Sequence, residues 1–547
     1  MKYVPAGPPR YAHQKQALRR IIETRGVCAL LMDPGTGKTA TVLDYCSILA
    51  LKNPRRETRV LVIAPLVAID TWVDQSKTYV HPGVSVWAEA LGGSIKQRAE
   101  ALAARGGRPF AGKRHQTPAK QRRMAPRALH SGKAIASYLR GDTGAQPSLE
   151  RGPDSLGTSR PSLILTSVNL DTFSSRASLG SGTVADLMLK AVERYQPDLI
   201  VVDESHKIKG ASSNVSRLLA RIGRHSPRRL ILTGTVMPHS PLDVFGQWRF
   251  LEPTAFGKTK GGTPQPATWS DFQHRFADFG GYLGKEVKRF KNLDEMNRIM
   301  SKNSVVVKKS DAMELPPTTE TKVTVHLSPK ELSAYTSMKK ELVTALSSGT
   351  VTAGNRLTQM MRLRQITSGF IRDDAGQIID LGSSKAKVIA GIVSDTLAGE
   401  NRVVIFCAFV HEIDLIVERL KSDPGEVLVI RGSTSKDERI RLRKRFGSDD
   451  QRRLILVAQI QTLSLAVNEL VTASHAIFGS LTLQRDELIQ AQDRLNRIGQ
   501  KRPVTFWYPV APGTVDTVTL SAHKSRTSLE AKMLQHIGVE LPDDVLQ

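Results

Sequence analysis

Eight short apolar runs, arranged in two series, limit this 547-residue chain to a small set of folds. They are RVLVIAPL (59–66), SLILTS (162–167), DLIVVDES (198–205) and RLILTGT (229–235), followed by RVVIFCAF (402–409), EVLVIRG (426–432), RLILVAQ (453–459) and ASHAIFG (473–479). Near-continuous runs rich in β-branched residues are typical of strands buried on both faces of a parallel sheet that helices cover. A long stretch of mixed character separates the two series. We therefore predict an α/β protein with two lobes rather than one giant sheet.

The charge of the chain indicates what kind of partner it meets. Lys and Arg number 78 against 52 Asp and Glu, which leaves a formal net charge of +26. A basic surface gains affinity for nucleic acid because it displaces the counterions that surround phosphates. A membrane surface is the weaker alternative, since the sequence shows neither a basic amphipathic anchor nor a paired lipidation signal. We expect a polyanion as the partner.

The cysteines and the first residues limit the protein class and the compartment. Cys28, Cys46 and Cys407 lie far apart without a CxxC pair, which excludes a disulfide framework and a cysteine-rich zinc module. No run approaches the length of a membrane span, and the start, MKYVPAGPPRYAHQ, has prolines where a signal peptide needs an apolar run. We expect a soluble protein of the cytoplasm that does not use a membrane.

Residues 106–160 form an unusual basic segment between two of the predicted strands. They contain eight Gly, five Pro, eleven Lys or Arg and three Asp or Glu, so their net charge is +8. With Phe110 and Tyr138 as its only aromatic residues, the segment cannot bury enough apolar surface to fold alone. We predict a mostly flexible insertion within reach of nucleic acid. The alternative is a solvating loop, because runs of charge usually lie on solvated surfaces.

The strongest local motif is CALLMDPGTGKTATVLDY, residues 28–45, in which an apolar strand leads through glycines into a helix. Glycines let backbone N–H groups converge on phosphate oxygens, and the N-terminus of a helix favours negative charge. Lys38 would then reach the β and γ phosphates, and the Thr39 hydroxyl would ligate Mg²⁺. The strict phosphate-loop pattern has a further glycine where this chain has Met32, so a turn unrelated to phosphate is the alternative.

Two adjacent acids complete the pattern of a nucleotide hydrolase. The apolar run DLIVV ends in Asp203 and Glu204, at the carboxyl edge of a predicted parallel strand, where ligands gather in α/β sheets. Asp203 can hold Mg²⁺ through water, and Glu204 can polarise an attacking water. Adjacent acids alone are commonly a solvated turn. A phosphate loop upstream favours hydrolysis.

Two arginines near the end of the second series are candidates for the transition state. In QAQDRLNRIGQ (490–500), Arg494 and Arg497 are three apart and would project from one face of a helix. Arginines that reach a γ phosphate only when two lobes close would complete the catalytic site. The alternative is a pair of ordinary surface arginines.

These motifs, taken together, resemble a known family over nearly the whole chain. The chain looks like a Snf-type (sucrose non-fermenting) DNA-dependent ATPase of helicase superfamily two, in the compact form of bacteria or bacteriophages. The resemblance rests on RYAHQ (10–14), DPGTGKT (33–39), APLVAIDTW (64–72), DESH (203–206), LTGTVMPHSPLDVFGQWRFLEP (232–253), RGSTSKDERIRLRKRF (431–446), QAQDRLNRIGQ (490–500) and GTVDTVTLSAHK (513–524). Segments 304–335 and 360–370 resemble the region between the lobes of that family.

The resemblance implies a fold and a division into domains. It implies two RecA-like parallel-sheet lobes with an ATP-binding cleft between them. Lobe one would span 1–300 and include the insertion, and a helical inter-lobe segment would span 301–384. Lobe two would span 385–512, and a brace helix with a tail would span 513–547.

The resemblance also implies cofactors and site residues, with ATP and Mg²⁺ as the cofactors. Catalytic roles fall to Lys38, Glu204, Arg494 and Arg497, and the metal to Thr39 and Asp203. ATP contacts fall to Tyr11, Gln14, Asp33, Pro34, Gly35, Thr36, Gly37, Lys38 and Thr39. DNA contact or coupling falls to Thr71, Trp72, Thr233, Thr235 and Gln490. Without the resemblance, such threonines are more often turn or cap residues, and the tryptophan is more often core packing.

One motif departs from the family. TLSLAVNEL (462–470) stands where the family has a glycine-rich stretch, with Ser464 and Ala466 at positions where glycine is usual. Glycine permits positive φ and a close approach of the backbone to a phosphate. We therefore expect an altered DNA contact and retained catalysis. Modules that read nucleosomes are not apparent, so a chromatin remodeller is not predicted.

The function predicted from the sequence is an ATP-dependent translocase on duplex DNA that remodels or clears protein–DNA complexes. It would contact the backbone with little sequence preference, and the sequence does not identify a recruiting protein. Two alternatives stay open. One is a helicase that separates strands of DNA or RNA, and the other is a nucleic-acid clamp switched by ATP that hydrolyses it slowly.

Overall fold

The computed structural model describes residues 4–66, 68–106, 161–174, 178–179, 182–237, 240–280, 286–312, 315–347, 353–373, 375–463, 469–497 and 499–525. Its contacts divide the chain into two units, Met1–Met313 and Glu314–Gln547. Apart from Gly106, the basic segment predicted for 106–160 lies outside the described residues, as does the tail beyond residue 525.

The first unit is built on a parallel sheet of seven strands in the order β13-β1-β8-β7-β2-β4-β3. The strands of this unit are β1 (Val27–Met32), β2 (Thr58–Ala64), β3 (Ser85–Ala90), β4 (Ser162–Asn169), β5 (Ser178–Leu179), β6 (Gly182–Thr183), β7 (Leu199–Asp203), β8 (Arg229–Thr233), β9 (Thr259–Lys260), β10 (Thr263–Pro264), β11 (Ala277–Gly280), β12 (Glu286–Phe290) and β13 (Ser304–Val307). The strands that are not in the large sheet pair as three antiparallel hairpins.

Helices cover both faces of this sheet. They are α1 (Ala12–Glu23), α2 (Lys38–Lys52), α3 (Ile69–Tyr79), α4 (Ile95–Ala104), α5 (Val184–Tyr195), α6 (Asn214–Ile222), α7 (Val244–Leu251), α8 (Trp269–Phe276), α9 (Leu293–Ser301) and α10 (Lys309–Ala312). Successive residues of one strand enter different cores: Ala29 and Leu31 pack on one face, and Cys28 and Leu30 on the other. A strand buried on both faces needs a continuous apolar run, which explains the sequence pattern.

The second unit contains a parallel sheet of six strands in the order β14-β21-β20-β17-β19-β18. Its strands are β14 (Thr318–Thr324), β15 (Phe370–Arg372), β16 (Ile378–Asp380), β17 (Arg402–Cys407), β18 (Glu426–Ile430), β19 (Leu454–Gln459), β20 (His475–Phe478) and β21 (Val504–Val510). Its helices are α11 (Pro329–Ser347), α12 (Ala353–Thr367), α13 (Ser384–Gly391), α14 (Val410–Arg419), α15 (Lys436–Phe446), α16 (Ile460–Leu463), α17 (Arg485–Leu495) and α18 (Val515–Ser525). The prediction of two parallel-sheet α/β lobes is confirmed.

The segment predicted to lie between the lobes, 301–384, contributes a strand to each of the two large sheets. Its strand β13 pairs with β1, so the first unit continues past residue 300. Its strand β14 pairs with β21 at the edge of the second sheet. The sequence TTETKVT of β14 has few apolar residues because an edge strand is mostly exposed, and an apolar run could not mark it. The division of the chain therefore falls inside this segment, after Met313.

The predicted brace at 513–547 begins with a helix that packs within the second unit. Val515 shares a small core with Tyr335 and Leu363, on the two helices that precede β15. The backbone N–H of Val515 donates to the Tyr335 hydroxyl at 2.9 Å. Lys385 and Asp516 form an ion pair of 2.6 Å, with side chains 2% and 9% exposed. These contacts hold α18 to the body of its own unit.

None of the helices in the described ranges combines the length and the apolar character that a membrane span requires.

A candidate nucleotide site at the edge of the first sheet

The loop between β1 and α2 has the backbone of a phosphate-binding turn. Gly35 and Gly37 have φ of +82° and +88°, in the left-handed region that favours glycine. At Gly37 a side chain is also excluded by space, because an added Cβ would lie 1.9 Å from the amide nitrogen of Gln14. Gly37 caps α2, whose first residues are Lys38 and Thr39. The N-terminus of a fifteen-residue helix therefore faces this loop, as the sequence predicted.

The Lys38 side chain folds across the same loop. Its Nζ donates to the backbone oxygen of Met32 at 2.7 Å and to that of Asp33 at 3.3 Å. The Thr36 hydroxyl donates to the Asp33 oxygen at 2.7 Å. Pro34 packs against the residue that follows β8, since a Cβ added at Gly234 would lie 2.8 Å from the Pro34 Cδ. The loop thus holds a cation at its centre, where a phosphate would be bound.

The segment before α1 and its first turn contact this loop. The Gln14 side chain donates to the Thr36 backbone oxygen at 3.1 Å and accepts from the Tyr11 backbone N–H at 3.1 Å. Tyr11 is 44% exposed and its ring stacks on that of His13 at 5.7 Å. A ring nitrogen of His13 lies 2.9 Å from the same Thr36 oxygen. The structure thus brings Tyr11 and Gln14 to the loop, and it adds His13, which the sequence did not single out.

Asp33 joins the loop to the last part of the first unit. Its carboxylate accepts from the Lys309 backbone N–H at 2.8 Å, at the start of α10. Its own backbone N–H donates to the Val307 oxygen at 3.0 Å, at the end of β13. The side chain predicted to contact ATP therefore also anchors the segment that precedes the second unit.

The two predicted acids lie at the carboxyl end of β7. Asp203 accepts from the Trp72 indole N–H at 3.0 Å and from the Glu204 backbone N–H at 3.0 Å, through different oxygens. Glu204 has φ +52° and ψ +51°, a left-handed conformation that is uncommon for a residue with a long side chain. Such strain persists only where the surrounding structure fixes it, and it often marks functional positions. It occurs where β7 ends and the 3₁₀ turn Ser205–Ile208 begins.

Burial and charge separate the pKa values of the two acids. Burial, reinforced by the neighbouring charge of Glu204, raises the pKa of Asp203 to about 6, while the Trp72 hydrogen bond and the charge of Lys38 oppose the rise. Burial alone would raise the pKa of Glu204, but the hydrogen bond from His206 and the charge of Lys38 lower it overall. Glu204 is therefore ionised at neutral pH. The charge of Lys38 lowers the pKa of both acids, so the loop after β1 and the acid pair are electrostatically coupled.

The end of β8 lies between β1 and β7 in the sheet and connects the two motifs. The Thr233 hydroxyl is buried and forms hydrogen bonds of 3.0 Å with the backbone N–H and oxygen of Thr235. Nδ1 of His206 lies 3.2 Å from that hydroxyl and 3.3 Å from the Glu204 carboxylate. Thr235 itself is exposed. Thr233 therefore contacts the acid motif, whereas Thr235 is on the surface.

The side-chain oxygens of Asp203 and Thr39 are donors of the kind that Mg²⁺ prefers. Within the described ranges, no three His, Cys, Asp or Glu side chains come close enough to chelate an ion together. A site with one or two carboxylates and a hydroxyl suits Mg²⁺, which keeps several waters and takes the remaining ligands from phosphate. Asp203 and Thr39 would hold the ion, at the end of β7 and in the first turn of α2.

The predicted residues of the second unit have a less regular setting. Arg494 lies in the last turn of α17 and Gln490 lies half-buried in the same helix. The helix ends at Leu495 and Asn496 caps it with ψ +79°, so Arg497 lies beyond the helix. The two arginines therefore do not share one helical face. Their role at the nucleotide stays a prediction, and Ser464 and Ala466 lie outside the described residues.

The remaining predicted residues lie at the start of α3. Thr71 is half-buried in its first turn. Trp72 is 1% exposed and so belongs to the core, where its indole N–H donates to Asp203. Two further residues were not predicted, Ser205 and Gln247, both fully buried and hydrogen-bonded to each other at 2.8 Å. The position of Ser205 inside the DESH motif is the sequence signal that could have suggested a role for Ser205.

Comparison with protein families gives two matches that together span most of the chain. Residues 13–369 match the SNF2-related domain, and residues 384–499 match the helicase conserved C-terminal domain. The first match begins at His13 and includes every predicted site residue of the first unit except Tyr11.

Similar proteins are known from several organisms. The chain is 26% identical over 350 residues to the DNA annealing helicase and endonuclease ZRANB3 of Bos taurus, covering 61% of this chain and 30% of that protein. It is 24% identical over 351 residues to the uncharacterized ATP-dependent helicase MG018 of Mycoplasma genitalium, and the alignment covers 63% of this chain and 31% of that protein. It is 25% identical to the transcription regulatory protein SNF2 of Saccharomyces cerevisiae, and the alignment covers 61% of this chain and 20% of that protein. The chain thus spans less than a third of the length of these relatives.

Among solved structures, the SWI2/SNF2 ATPase core of Sulfolobus solfataricus in complex with dsDNA is similar at 19% identity and a TM-score of 0.36. The alignment covers 98% of this chain and 95% of that one.

Proposed function

Since the chain belongs to the SNF2-related family of helicase superfamily two and is a helicase-like ATP hydrolase, we propose that it uses ATP to translocate along duplex DNA. The observation that carries the proposal is that the glycine loop after β1 and the acid pair at the end of β7 lie at the same edge of the first parallel sheet, where only β8 separates their strands. There the Lys38 ammonium acts on both carboxylates of the acid pair. A phosphate loop and an acid pair joined in this way are the two halves of a nucleotide hydrolysis site.

In this proposal the first unit binds ATP with Mg²⁺. The loop Asp33–Gly37 surrounds the phosphates, and Lys38 leaves its two backbone acceptors for the β and γ phosphates. Thr39 and Asp203 hold the ion. Asp203 has a raised pKa, and the charge of a Mg²⁺ ion held there would favour its ionised form. Tyr11 and Gln14 contact the adenine, next to the loop that Gln14 already contacts.

Hydrolysis would then depend on Glu204 and on the second unit. Glu204 is ionised at neutral pH, so it can orient and polarise the attacking water. Arg494 and Arg497 would stabilise the charge of the γ phosphate in the transition state. Because their backbone settings differ, we expect the two arginines to contact different phosphate oxygens.

The partner in this proposal is the backbone of duplex DNA. The net charge of +26 favours phosphate contacts, which give affinity without sequence preference. Thr71, Trp72, Thr233, Thr235 and Gln490 would contact DNA or couple that contact to hydrolysis. Movement along the duplex would remodel or clear protein–DNA complexes. We place the protein in the cytoplasm of a bacterium or an infected host cell.

A strand-separating helicase is the second candidate, because some relatives of the chain are named as helicases. Two of those compared above are named as helicases. An ATP-switched clamp with little hydrolysis is disfavoured by the intact acid pair, with Glu204 ionised and in contact with His206. A helicase and a duplex translocase would use the same site for ATP hydrolysis. They differ in which nucleic acid increases the rate of hydrolysis.

One comparison separates these candidates. The rate of ATP hydrolysis would be measured with duplex DNA, single-stranded DNA and RNA at equal nucleotide concentration, with Glu204→Gln as the inactive control. Translocation on duplex predicts the largest stimulation by duplex DNA and no release of a labelled strand. Greater stimulation by single strands, with strand release, would support the helicase instead. A rate that no nucleic acid increases would contradict both.

A further inference from the structure

Ser205 directly follows the acid pair and makes a buried hydrogen bond to a helix behind the site. Its hydroxyl donates to the side-chain oxygen of Gln247 at 2.8 Å, and both residues are 0% exposed. Ser205 begins a short 3₁₀ turn, Ser205–Ile208, and Gln247 lies in the middle of α7. The bond therefore joins the residue next to Glu204 to a different element of the fold.

The Gln247 amide continues the connection toward the loop after β8. Its nitrogen donates to the backbone oxygen of Val236 at 2.7 Å and to that of Asp243 at 3.1 Å. Both donor hydrogens and the acceptor of this amide are thus used. Val236 follows the exposed Thr235, one of the residues proposed for DNA contact or coupling. A continuous path of hydrogen bonds leads from Ser205 to this surface loop.

The packing around the pair leaves it little freedom. Gly246 precedes Gln247, and a Cβ at that position would lie 2.2 Å from the backbone oxygen of Ile208. Helix α7 therefore lies directly against the turn that follows the acids. Close-packed elements of this kind shift between discrete arrangements instead of deforming gradually. A displacement of the Val236 segment would move Gln247 or break one of its bonds.

Stability alone does not require this pair. Burial of an amide and a hydroxyl has a desolvation cost that their hydrogen bonds only offset, and an apolar pair of similar volume can serve as well. The polar pair fixes the orientation of the Ser205 and Gln247 side chains relative to each other, because a hydrogen bond forms only in a narrow range of geometry. The residue whose geometry it fixes is adjacent to Glu204, which already has a strained φ of +52°.

We propose that the Ser205–Gln247 hydrogen bond is a positioning device that carries nucleic-acid contact at Thr235 and Val236, just after β8, to the carboxylate of Glu204. It acts beside the contact of His206 with Thr233, so the acid motif is joined to the end of β8 by two separate routes. Neither Ser205 nor Gln247 touches substrate. The inference rests on the proposed function, since it concerns the part of the rate that duplex DNA adds.

The test is a double-mutant cycle with Ser205→Ala and Gln247→Met in the full chain. The measured quantity is the ratio of kcat with saturating duplex DNA to kcat without it, together with KM for ATP and the urea midpoint. We expect each single variant to lower the ratio about tenfold or more, by analogy with misplacement of a catalytic group. We expect the double variant to be no lower than the worse single variant, because the two residues act as one unit.

Two further variants distinguish positioning from a loss of stability. Ser216 is also fully buried, and its hydroxyl accepts from Arg249 of the same helix α7 at 2.6 Å, on the side toward α6. Ser216→Ala is therefore the matched control, expected to lower the urea midpoint and to leave the stimulation ratio at its wild-type value. Ser205→Thr keeps the hydroxyl and should retain most of the stimulation even if it is less stable.

The outcomes separate this inference from the proposed function. If the wild-type chain is stimulated by duplex DNA and Ser205→Ala is stimulated equally, the inference is wrong and the proposed function stands. If the single effects multiply in the double variant, or if Ser216→Ala lowers the ratio as much as Ser205→Ala, the pair has only a structural role. A wild-type chain that duplex DNA does not stimulate overturns both.

Discussion

The indole N–H of Trp72 donates to the carboxylate of Asp203 across 3.0 Å, so a residue of α3 contacts the acid proposed to hold Mg²⁺. Trp72 is 1% exposed, which removes it from direct stacking on a nucleic acid base. The hydrogen bond lowers the pKa of Asp203 against the larger effect of burial, which raises it. Partners of metal ligands orient the ligand and adjust its basicity. We therefore propose that Trp72 acts through Asp203 and not by contact with DNA.

We expect Trp72→Phe to weaken Mg²⁺ binding more than it weakens folding. The ring still fills most of its site, but Asp203 loses a hydrogen bond to its charged form and its pKa rises further. Removal of such partners typically costs about 10- to 100-fold in metal affinity or activity. The measurement is the Mg²⁺ concentration for half-maximal ATP hydrolysis.

Trp248→Phe is the control for the lost volume in that experiment. Trp248 is also 1% exposed, and its indole N–H donates to Asn303, away from the acids. The substitution Trp248→Phe should lower the urea midpoint of unfolding and leave the Mg²⁺ concentration for half-maximal hydrolysis unchanged. An equal Mg²⁺ requirement in both variants would mean that Trp72 contributes packing alone.

Two substitutions in the first unit should separate ATP binding from turnover. Lys38→Ala should abolish hydrolysis and weaken ATP binding, because it removes the point charge expected at the β and γ phosphates. Glu204→Gln should keep ATP binding and lose turnover, because Asp203 and Thr39 still hold Mg²⁺. Equilibrium binding of a fluorescent ATP analogue and steady-state hydrolysis are the two measurements. Normal turnover in Glu204→Gln would show that a group other than Glu204 polarises the attacking water.

Arg494→Ala and Arg497→Ala should each lower the rate by about 10³ or more and leave ATP affinity nearly unchanged, because the contact matters mainly in the transition state. The helix ends between the two arginines, so the double variant should lose more than either single one if each reaches its own oxygen. Single-turnover hydrolysis with duplex DNA measures this. A variant that hydrolyses normally would show that its arginine is not delivered to the phosphate.

The basic segment 106–160 should contribute affinity for DNA through its charge. Its net +8 comes from eleven basic and three acidic residues, and phosphate contacts by Lys and Arg carry a dependence on salt. Replacing the segment with an uncharged Gly-Ser linker of equal length should weaken duplex binding and flatten the plot of log affinity against log salt. Three engaged side chains would change the slope by about 2.7. An unchanged slope would contradict a DNA-binding role for the segment. The remaining explanations would be a solvating loop or a binding site for a protein partner.

The sequence predicted the elements whose pattern has one strong physical cause. Strands buried on both faces need continuous apolar runs, and all eight runs contain a strand of the structure, from β2 to β20. Gly35 and Gly37 were predictable because the loop needs positive φ. The edge strand β14 was not, because TTETKVT buries little and its place depends on pairing with the distant β21.

The parts of the site that escaped prediction depend on long-range contacts. The bond of Ser205 spans 42 positions and that of Trp72 spans 131, so no local spacing could indicate either. The shared helical face of Arg494 and Arg497 was inferred from spacing alone, and it does not occur because α17 ends at Leu495. The left-handed Glu204 was equally hidden, since glutamate seldom adopts that conformation.

Glu412 of the second unit should make folding stability depend on pH. It is 2% exposed, and burial raises its pKa from 4.5 to about 7, although the charge of Lys385 and the Ser480 hydrogen bond lower it. The other ionisable groups that act on it or that it acts on are Asp516, Arg364 and Cys407. The folded state thus holds a proton on Glu412 that the unfolded state releases at lower pH. The stabilising contribution is complete below pH 4.5 and is lost as the pH rises to about 7.

Glu412→Gln isolates this effect because its amide stays neutral at every pH. A pKa difference of 2.5 corresponds to about 3 kcal/mol, so the free energy of unfolding of the variant relative to wild type should rise by up to that amount between pH 4.5 and pH 8. Glu331→Gln is a control of opposite sign: burial opposes its ionisation, but hydrogen bonds from Ser384 and Ser328 prevail and lower its pKa. That variant should lose stability relative to wild type above the unfolded pKa and recover it as the pH falls. Urea denaturation at several pH values measures both, and a pH-independent difference for Glu412→Gln would show that the buried carboxyl does not titrate in this range.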